Sequence, residues 1–557
     1  MGRSARVLLL FAFWVPVAPA QTPVNLRQAI DAIQAKDYAK AIAILETEVR
    51  RSPDREEAHY YLGLAYWQVE RKTDAVTELK RAKQLSPKNP EYSYALGNFY
   101  LQQKSYAEAR AVYTEGLKQK DNGRSLYGLG LVYLAQDSLD QAITYLLQSR
   151  EASPNDSKVY RAIGDAYAKQ KVLSLAIDNY QKTVEIEPGW LEVHFTLGKL
   201  YFKERRVNEA LASYKKAVEL DPTNADAQYE VGNLYVMAKR PADAVAYLEA
   251  HVKLQPNSYK GQYALAKALY STRRLPEAVT NAEQAYRLDP TADALELLAK
   301  VYFDSRDSTG YRKSSESFEK LSQTNGYEFD AATYLQWGRA LFRLKRFADA
   351  IPKYEASLRM DSTQTDVYFE LGSAYISQQR FDDAINSFNH KIRLSPEPKS
   401  RADSVSLARA YFNMGMAYMR KQTFAQATAT FRSGLRYEGA YTQAWIWLAQ
   451  SYGQADSSEA SKAAYDEVLR LDANHTEANR MVGVYYLVKK QFDVAIPFLR
   501  KAVHLDPGNE MGHLWLAQAF HSTSKVPEAK AEYALTLKIN PKNEQAQKGM
   551  KLLETFQ

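Results

Sequence analysis

The chain has 557 residues, 46% hydrophobic and 25% charged, and a formal charge of +8 from 73 basic and 65 acidic residues. An excess that thin over that length does not make the concentrated basic patches of a nucleic-acid surface, so no nucleic-acid partner is expected. The lack of any cysteine excludes disulfides, thiolate metal sites and cysteine nucleophiles.

Met1–Arg6 is short and basic, and Val7–Val15 is an unbroken apolar run. Pro16 interrupts the run, and Ala18-Pro19-Ala20 supplies small residues before Gln21. This layout predicts a secretory signal peptide over residues 1–20. The run is much shorter than the roughly 20 residues a membrane span needs. The expected protein is exported, periplasmic or secreted, with no membrane span in its mature chain.

From there the chain is periodic. A small residue follows a bulky apolar one at Gly63, Gly97, Gly130, Gly164, Gly198, Gly232, Ala266, Ala299, Gly338, Gly372, Gly415, Ala449, Gly483 and Ala517, most of them 34 residues apart. A fixed period of this length signals a stack of small helical units. In the unit from Asp221 to Pro256, Tyr229, Asn233 and Val236 share one helical face, and Gln228, Val231, Gly232 and Tyr235 an adjacent one. Lys239-Arg240-Pro241 reads as a turn, Ala242–Leu254 as a second helix, and Pro256 as its stop.

Glycine inside a helix costs about 1 kcal/mol against alanine, so its repetition implies close helix crossings. A second small column (Ala75, Ala109, Ala176, Ala210, Ala244, Ala350 and equivalents) lies twelve residues on. Large fillers such as Tyr113, Tyr180, Tyr214, Tyr354, Phe388 and Phe431 follow four residues later. The fold class expected is all-α, an α-solenoid of tandem helix-turn-helix repeats.

The register departs at three places. Asp304–Lys313 is expected to lengthen a turn inside one unit, with Thr324–Phe329 adding a little after it. Ser395–Ser404, with Pro396 and Pro398, accounts for most of a longer gap. Ser458 and Ser461 stand where a large apolar residue and an alanine belong. Asn543–Gln557, with Met550, Leu552, Leu553 and Phe556, reads as a capping helix. The expected organisation is a leader over 1–20, nine repeats over 21–323, two over 327–396, four over 403–541 and the cap over 542–557.

Leu197-Gly198 with Tyr201, then Ala210, Tyr214, Ala217 and Pro222, resemble the tetratricopeptide repeat column by column, and a unit before Gly63 brings the number to fifteen. The resemblance implies a right-handed superhelix whose concave surface holds other proteins. Two specialised grooves of the family are not matched. Asn98 and Lys158 match the chaperone-tail clamp in part, but Tyr94, Gly128 and Ala162 stand where its other residues belong. In the asparagine-ladder column only Asn413 agrees.

Almost no chain lies outside the repeats, and it contains no Gly-rich phosphate loop, HExxH or GxSxG. No enzyme activity, cofactor or specific metal site is expected. His513 and His521 share a helix about two turns apart, a weak metal signal. Acidic pairs such as Asp382-Asp383 suit helix starts.

If the first helix of each unit lines the concave face, the residues three before the small column point into it. They are Tyr60, Tyr94, Tyr127, Arg161, Phe195, Tyr229 and Tyr263, then Glu296, Leu335, Phe369 and Phe412. Asn98, Lys199, Phe202, Asn233, Lys267 and Tyr270 continue that face, and Lys203, Lys300, Arg339 and Arg343 make its middle basic. Tyrosine-rich surfaces of this kind suit binding, although tyrosine in this column also packs neighbouring helices. The function expected is a non-catalytic scaffold binding an extended peptide or protein segment, with acidic partners favoured. The alternatives are a carbohydrate-binding protein stacking sugars on the ladder, or a subunit recruiting substrate for a separate envelope enzyme.

Overall fold

Within the repeat spanning residues 225–254, the first helix runs Ala225–Met237 and the second Pro241–Leu254 in the computed structural model. The model describes residues 23–118 and 122–555. The expected leader and its cleavage point, and Phe556 of the cap, lie outside the described residues. The second helix starts one residue before the sequence pattern placed it. Pro241 occupies the first helical position, where its missing N–H was an orphan in any case.

Local chemistry fixes both ends of the repeat. The Asn224 side chain caps the first helix by accepting from the backbone N–H of Ala227 at 3.0 Å. At the other end Lys239 takes the left-handed conformation at φ 56°. Its N–H then reaches Val236 O at 3.1 Å, and the N–H of Arg240 reaches Tyr235 O at 2.9 Å. This is a Schellman closure, built here on a lysine. A left-handed non-glycine residue recurs at this place in every repeat, among them Lys36, Lys104, Arg205, Lys345 and Lys490.

Several connections into the next repeat are tied by a side-chain donor six residues beyond the carbonyl it holds. Gln228 donates to Pro222 O at 3.0 Å, Gln262 to Pro256 O at 2.9 Å and Tyr160 to Pro154 O at 3.1 Å. Asn479 and Trp445 fill the same role on Ala473 O and Gly439 O. The chemical type changes from repeat to repeat, which hides the column in the sequence.

Among the described residues there are 31 helices and no strand. In chain order they make fifteen helix-turn-helix repeats and the final helix Glu544–Glu554. Small faces large inside each repeat. A Cβ on Gly198 would stand 2.6 Å from the Tyr214 ring, one on Gly372 2.8 Å from Phe388, and one on Gly232 2.5 Å from Leu248 Cγ. All three partners are buried. The two columns read from the sequence therefore interdigitate.

The chain falls into two compact units that divide between Thr272 and Arg273. In each, successive helices pack in order, and the first helices of neighbouring repeats also touch: Pro90–Gln102 with Gly123–Ala135 in one unit, and Thr476–Val488 with Glu510–Ser522 in the other. The first helices thus form a contacting layer within each unit.

Two departures from register resolve differently from expectation. The turn near Asp304 is not lengthened, because Ala292–Asp304 is followed by Ser308–Ser322 across three residues, as in ordinary repeats. The extra chain lies instead in the connection 323–330 and one added helical residue. The longer gap around Pro398 is spent mostly as helix. Its connection is only 395–400, and Arg401–Arg420 has 20 residues. Ser461 keeps its place by donating to Ala449 O at 2.8 Å. The cap buries Ala546 and Leu553 and sets Gly549 against Tyr533, while Leu552 stays exposed.

Candidate functional site

In the unit ending at Thr272 the expected aromatic rungs sit on first helices, with Arg161 on Ser157–Lys169 interrupting the column. Tyr94, Phe195, Tyr229 and Tyr263 are half-buried, each against another ring. Tyr94 packs on Tyr113 at 6.3 Å between ring centres, Phe195 on Tyr214 at 5.4 Å and Tyr229 on His251 at 5.3 Å. Tyr263 stacks on Tyr259 at 5.8 Å. Tyr127 and Tyr270 are half-buried as well. Burial pushes the Tyr94 phenol up to about 12 and also raises Tyr127 and Tyr229. These hydroxyls are therefore neutral at physiological pH and can offer hydrogen bonds but no charge.

Three expected members do not reach the surface. Tyr60 is enclosed by Tyr61 and Tyr92, with ring centres 5.1 and 5.0 Å away. Position 92 holds a bulky ring where the equivalent positions carry Ser125, Val159, Val193, Ala227 and Gly261. Asn98 is 3% exposed, and its Oδ1 accepts from the Tyr113 hydroxyl at 2.7 Å. Phe412 is also buried.

The polar positions divide by whether their charge is used. Lys199 lies 4.3 Å over Phe195, and Lys267 lies 5.6 Å over Tyr263. Both are exposed, as is Lys203, and none of the three makes an ion pair among the described residues. Phe202 beside them is 38% exposed. The Asn233 amide points at Met237 Sδ at 4.0 Å, and Met237 is exposed.

Arg161 stacks 4.9 Å from Trp190 and lies 3.8 Å from Asp165. Burial raises the Asp165 carboxyl above its usual range, against the opposing hydrogen bond from Tyr180 at 2.6 Å. In the other unit Lys300 pairs with Glu296, and Arg339 grips both oxygens of Glu370 at 2.7–3.0 Å. The basic middle expected from the sequence is therefore partly self-neutralised, at Arg161, Lys300 and Arg339.

The structure adds a cleft that the sequence did not single out. It measures about 590 Å³ and is walled by the first helices Ala292–Asp304, Ala331–Arg343, Thr365–Ser377 and Arg401–Arg420. Phe303, Arg343, Tyr354, Phe369 and Arg409 line it. Arg409 escaped notice because the irregular gap before Gly415 obscured which turns of its helix continue the face. Among the described residues no three His, Asp or Glu side chains gather as a metal site. His513 instead faces Glu532 at 2.5 Å and Pro507 O at 3.1 Å. Among those residues no helix is long and apolar enough to cross a membrane.

Models of the tetratricopeptide repeat match residues 26–90, 263–310, 335–396 and 448–510, with others at 100–165, 487–553 and 408–441. A TPR repeat model matches 198–238. Together these cover most of the chain. Among curated proteins, tetratricopeptide repeat protein 37 of Xenopus laevis is 25% identical over 174 residues, which is 24% of this chain and 11% of that protein. The match thus spans about a tenth of that relative's length. Of solved structures, the APC/C hetero-tetramer Cut9–Hcn1 is 15% identical with a TM-score of 0.33, over 83% of this chain and 96% of that one. YrrB, described as a TPR protein with an unusual peptide-binding site, is 22% identical with a TM-score of 0.30, over 33% of this chain and 96% of its own.

Proposed function

The chain belongs to the tetratricopeptide-repeat family, and on that premise we propose that it is a non-catalytic interaction scaffold holding an extended peptide segment along a first-helix face. The observation that carries this is the row of half-buried rings Tyr94, Tyr127, Phe195, Tyr229 and Tyr263, interrupted by Arg161. A ring already held by its own fold offers contact area at little further entropy cost. Lys199, Lys203 and Lys267 stand beside the row with unspent charge, which suits carboxylates on the guest. The basic, apolar and small-residue sequence of residues 1–20 supports export, and N-terminal sequencing of the mature protein should then begin at Gln21.

The test is a selection of phage-displayed random peptides on the full chain, followed by titration of the enriched peptides. Tyr94→Ala, Tyr229→Ala and Tyr263→Ala combined should weaken them by about tenfold or more while far-UV circular dichroism keeps its helical signal. Affinity untouched by the triple substitution refutes this placement.

A further inference from the structure

We propose that the turns inside repeats five, six and seven form a docking edge for an anionic phospholipid bilayer. These turns lie between Ser157–Lys169 and Leu173–Ile186, Leu191–Lys203 and Val207–Leu220, and Ala225–Met237 and Pro241–Leu254. The edge uses no residue of the peptide row, so it stands apart from the scaffold reading above.

Successive helices pack in alternating direction, so the turn inside each repeat emerges at the same end of the layer. Neighbouring turns lie side by side. Lys169 donates to Leu134 O at 3.2 Å and to Asp137 in the turn of the repeat before it at 3.4 Å. All three turns belong to the unit that ends at Thr272.

This edge carries unspent positive charge. Its left-handed residues are Lys171, Arg205 and Lys239, at φ 64°, 59° and 56°. All three are exposed, and none makes an ion pair among the described residues. Glycine takes this conformation at lower cost, so backbone geometry does not select a long cation there. Two of the nearby acids are already neutralised, Glu209 by Arg206 at 3.0 Å and Asp243 by Arg240 at 2.8 Å. Glu204 is the remaining acid of these turns. The connections at the opposite edge of the same repeats carry Glu187, Glu192, Asp221 and Asp226. An anionic surface is therefore drawn to one edge and repelled by the other.

Exposed apolar side chains stand among the cations. Val172, Leu175 and Val207 are 37%, 40% and 39% exposed. Two of them displace residues that a helix start prefers. Val172 is an N-cap without a side-chain hydrogen bond, whereas Asp37 in the first repeat caps by accepting from Lys40 N–H at 3.2 Å. Leu175 holds the place of Asp74, Glu108, Glu209 and Asp243 in other repeats, where an acid favours the helix dipole. The combination selects a bilayer. A polyanionic chain would use the cations alone, whereas apolar side chains beside lysine and arginine enter the boundary between headgroups and acyl chains.

The test is co-sedimentation of the full chain with phosphatidylcholine–phosphatidylglycerol vesicles, and with pure phosphatidylcholine vesicles as the neutral surface. The chain is tested also from Gln21, which removes no described helix and excludes binding by the apolar run of residues 7–15. Both forms should bind the anionic vesicles, and salt should release them. Lys171→Gly, Arg205→Gly and Lys239→Gly combined should weaken binding about a hundredfold, from roughly fivefold per cation. Thermal stability should hold or rise in that variant, because each glycine relieves a left-handed residue. A purely structural role would instead leave binding unchanged. Val172→Ser, Leu175→Gln and Val207→Ser combined should weaken binding about tenfold with the helical circular dichroism kept. Tyr94→Ala, Tyr229→Ala and Tyr263→Ala combined should leave it intact. Equal binding to neutral vesicles, indifference to the glycine variant, or binding lost with residues 1–20 overturns the edge. Full binding by the polar variant assigns the edge to a soluble polyanion, and loss in the tyrosine variant moves the lipid to the first-helix face; either result overturns the proposal.

Discussion

Gly198→Leu tests the packing rule on which the array is built. Glycine at this helix-interior position costs about 1 kcal/mol in helix propensity, most of which leucine would recover. Against that, the first added atom would already stand 2.6 Å from Cδ1 and Cε1 of Tyr214 and 2.8 Å from its Cγ. Carbon atoms prefer about 3.5–4 Å. Tyr214 is 1% exposed, so its ring cannot step aside without opening the core. Overpacking of this kind costs about 1–3 kcal/mol, and three further side-chain carbons place the expected net loss in that range. A long array need not unfold in one step, so the suitable assay is native-state hydrogen exchange of the amides in residues 191–220. Protection there should fall by roughly 5–30-fold or more. The control is Gly453→Ala, an exposed helical glycine whose added Cβ meets nothing nearer than 3.7 Å. It should raise local protection, by up to about 1 kcal/mol. If Gly198→Leu raises protection as well, helix propensity outweighs the crossing and the steric argument fails.

Two further outcomes follow from local geometry. Lys239→Gly should stabilise its repeat by about 0.5–1 kcal/mol, because a left-handed L-residue costs about 1–2 kcal/mol and glycine's greater unfolded freedom returns only part of it. Exchange in residues 225–254 reads this, and unchanged or lower protection contradicts it. For Asp165 the folded carboxyl titrates above its unfolded value because of burial. The native state therefore binds the extra proton, and Asp165 contributes stability below the unfolded value of about 3.8 that is lost as pH rises through the folded one. Asp165→Asn, which keeps an acceptor for the Tyr180 hydroxyl, should be more stable than the parent near pH 7, with the difference vanishing below about pH 3.8. Denaturation midpoints across that range check the sign, and a gain that grows at low pH would contradict it.

The periodicity of small and large residues made the fold legible, because the 34-residue register and the Gly198–Tyr214 type of pairing are both written in the chain. What misled was chain length at the irregular places. Extra residues before Gly415 looked like loop, yet Ser400 caps a helix by accepting from Asp403 N–H at 3.1 Å, and no breaker follows Pro398. The site was legible as a column but not as a surface. A residue three before the small position is shut in where the next repeat carries a bulky ring five before its own, as Tyr92 does for Tyr60. A polar residue just after the small position is free where the filler is leucine, as at Asn233 with Leu248. With a tyrosine filler it is captured at Asn98 by Tyr113, whereas Lys199 beside Tyr214 stays exposed. Both rules depend on pairs of columns read together. The use of Arg339 by Glu370 appears only in three dimensions.

The most direct measurement is site-specific photo-crosslinking with an enriched synthetic peptide. The photoreactive residue is placed at Tyr229 or Lys267 on the first-helix face, and at Lys216 or Lys253, exposed on second helices. The account predicts peptide adducts at Tyr229 and Lys267 and none above background at Lys216 and Lys253. Adducts at the second-helix positions, with none at the first, would contradict it.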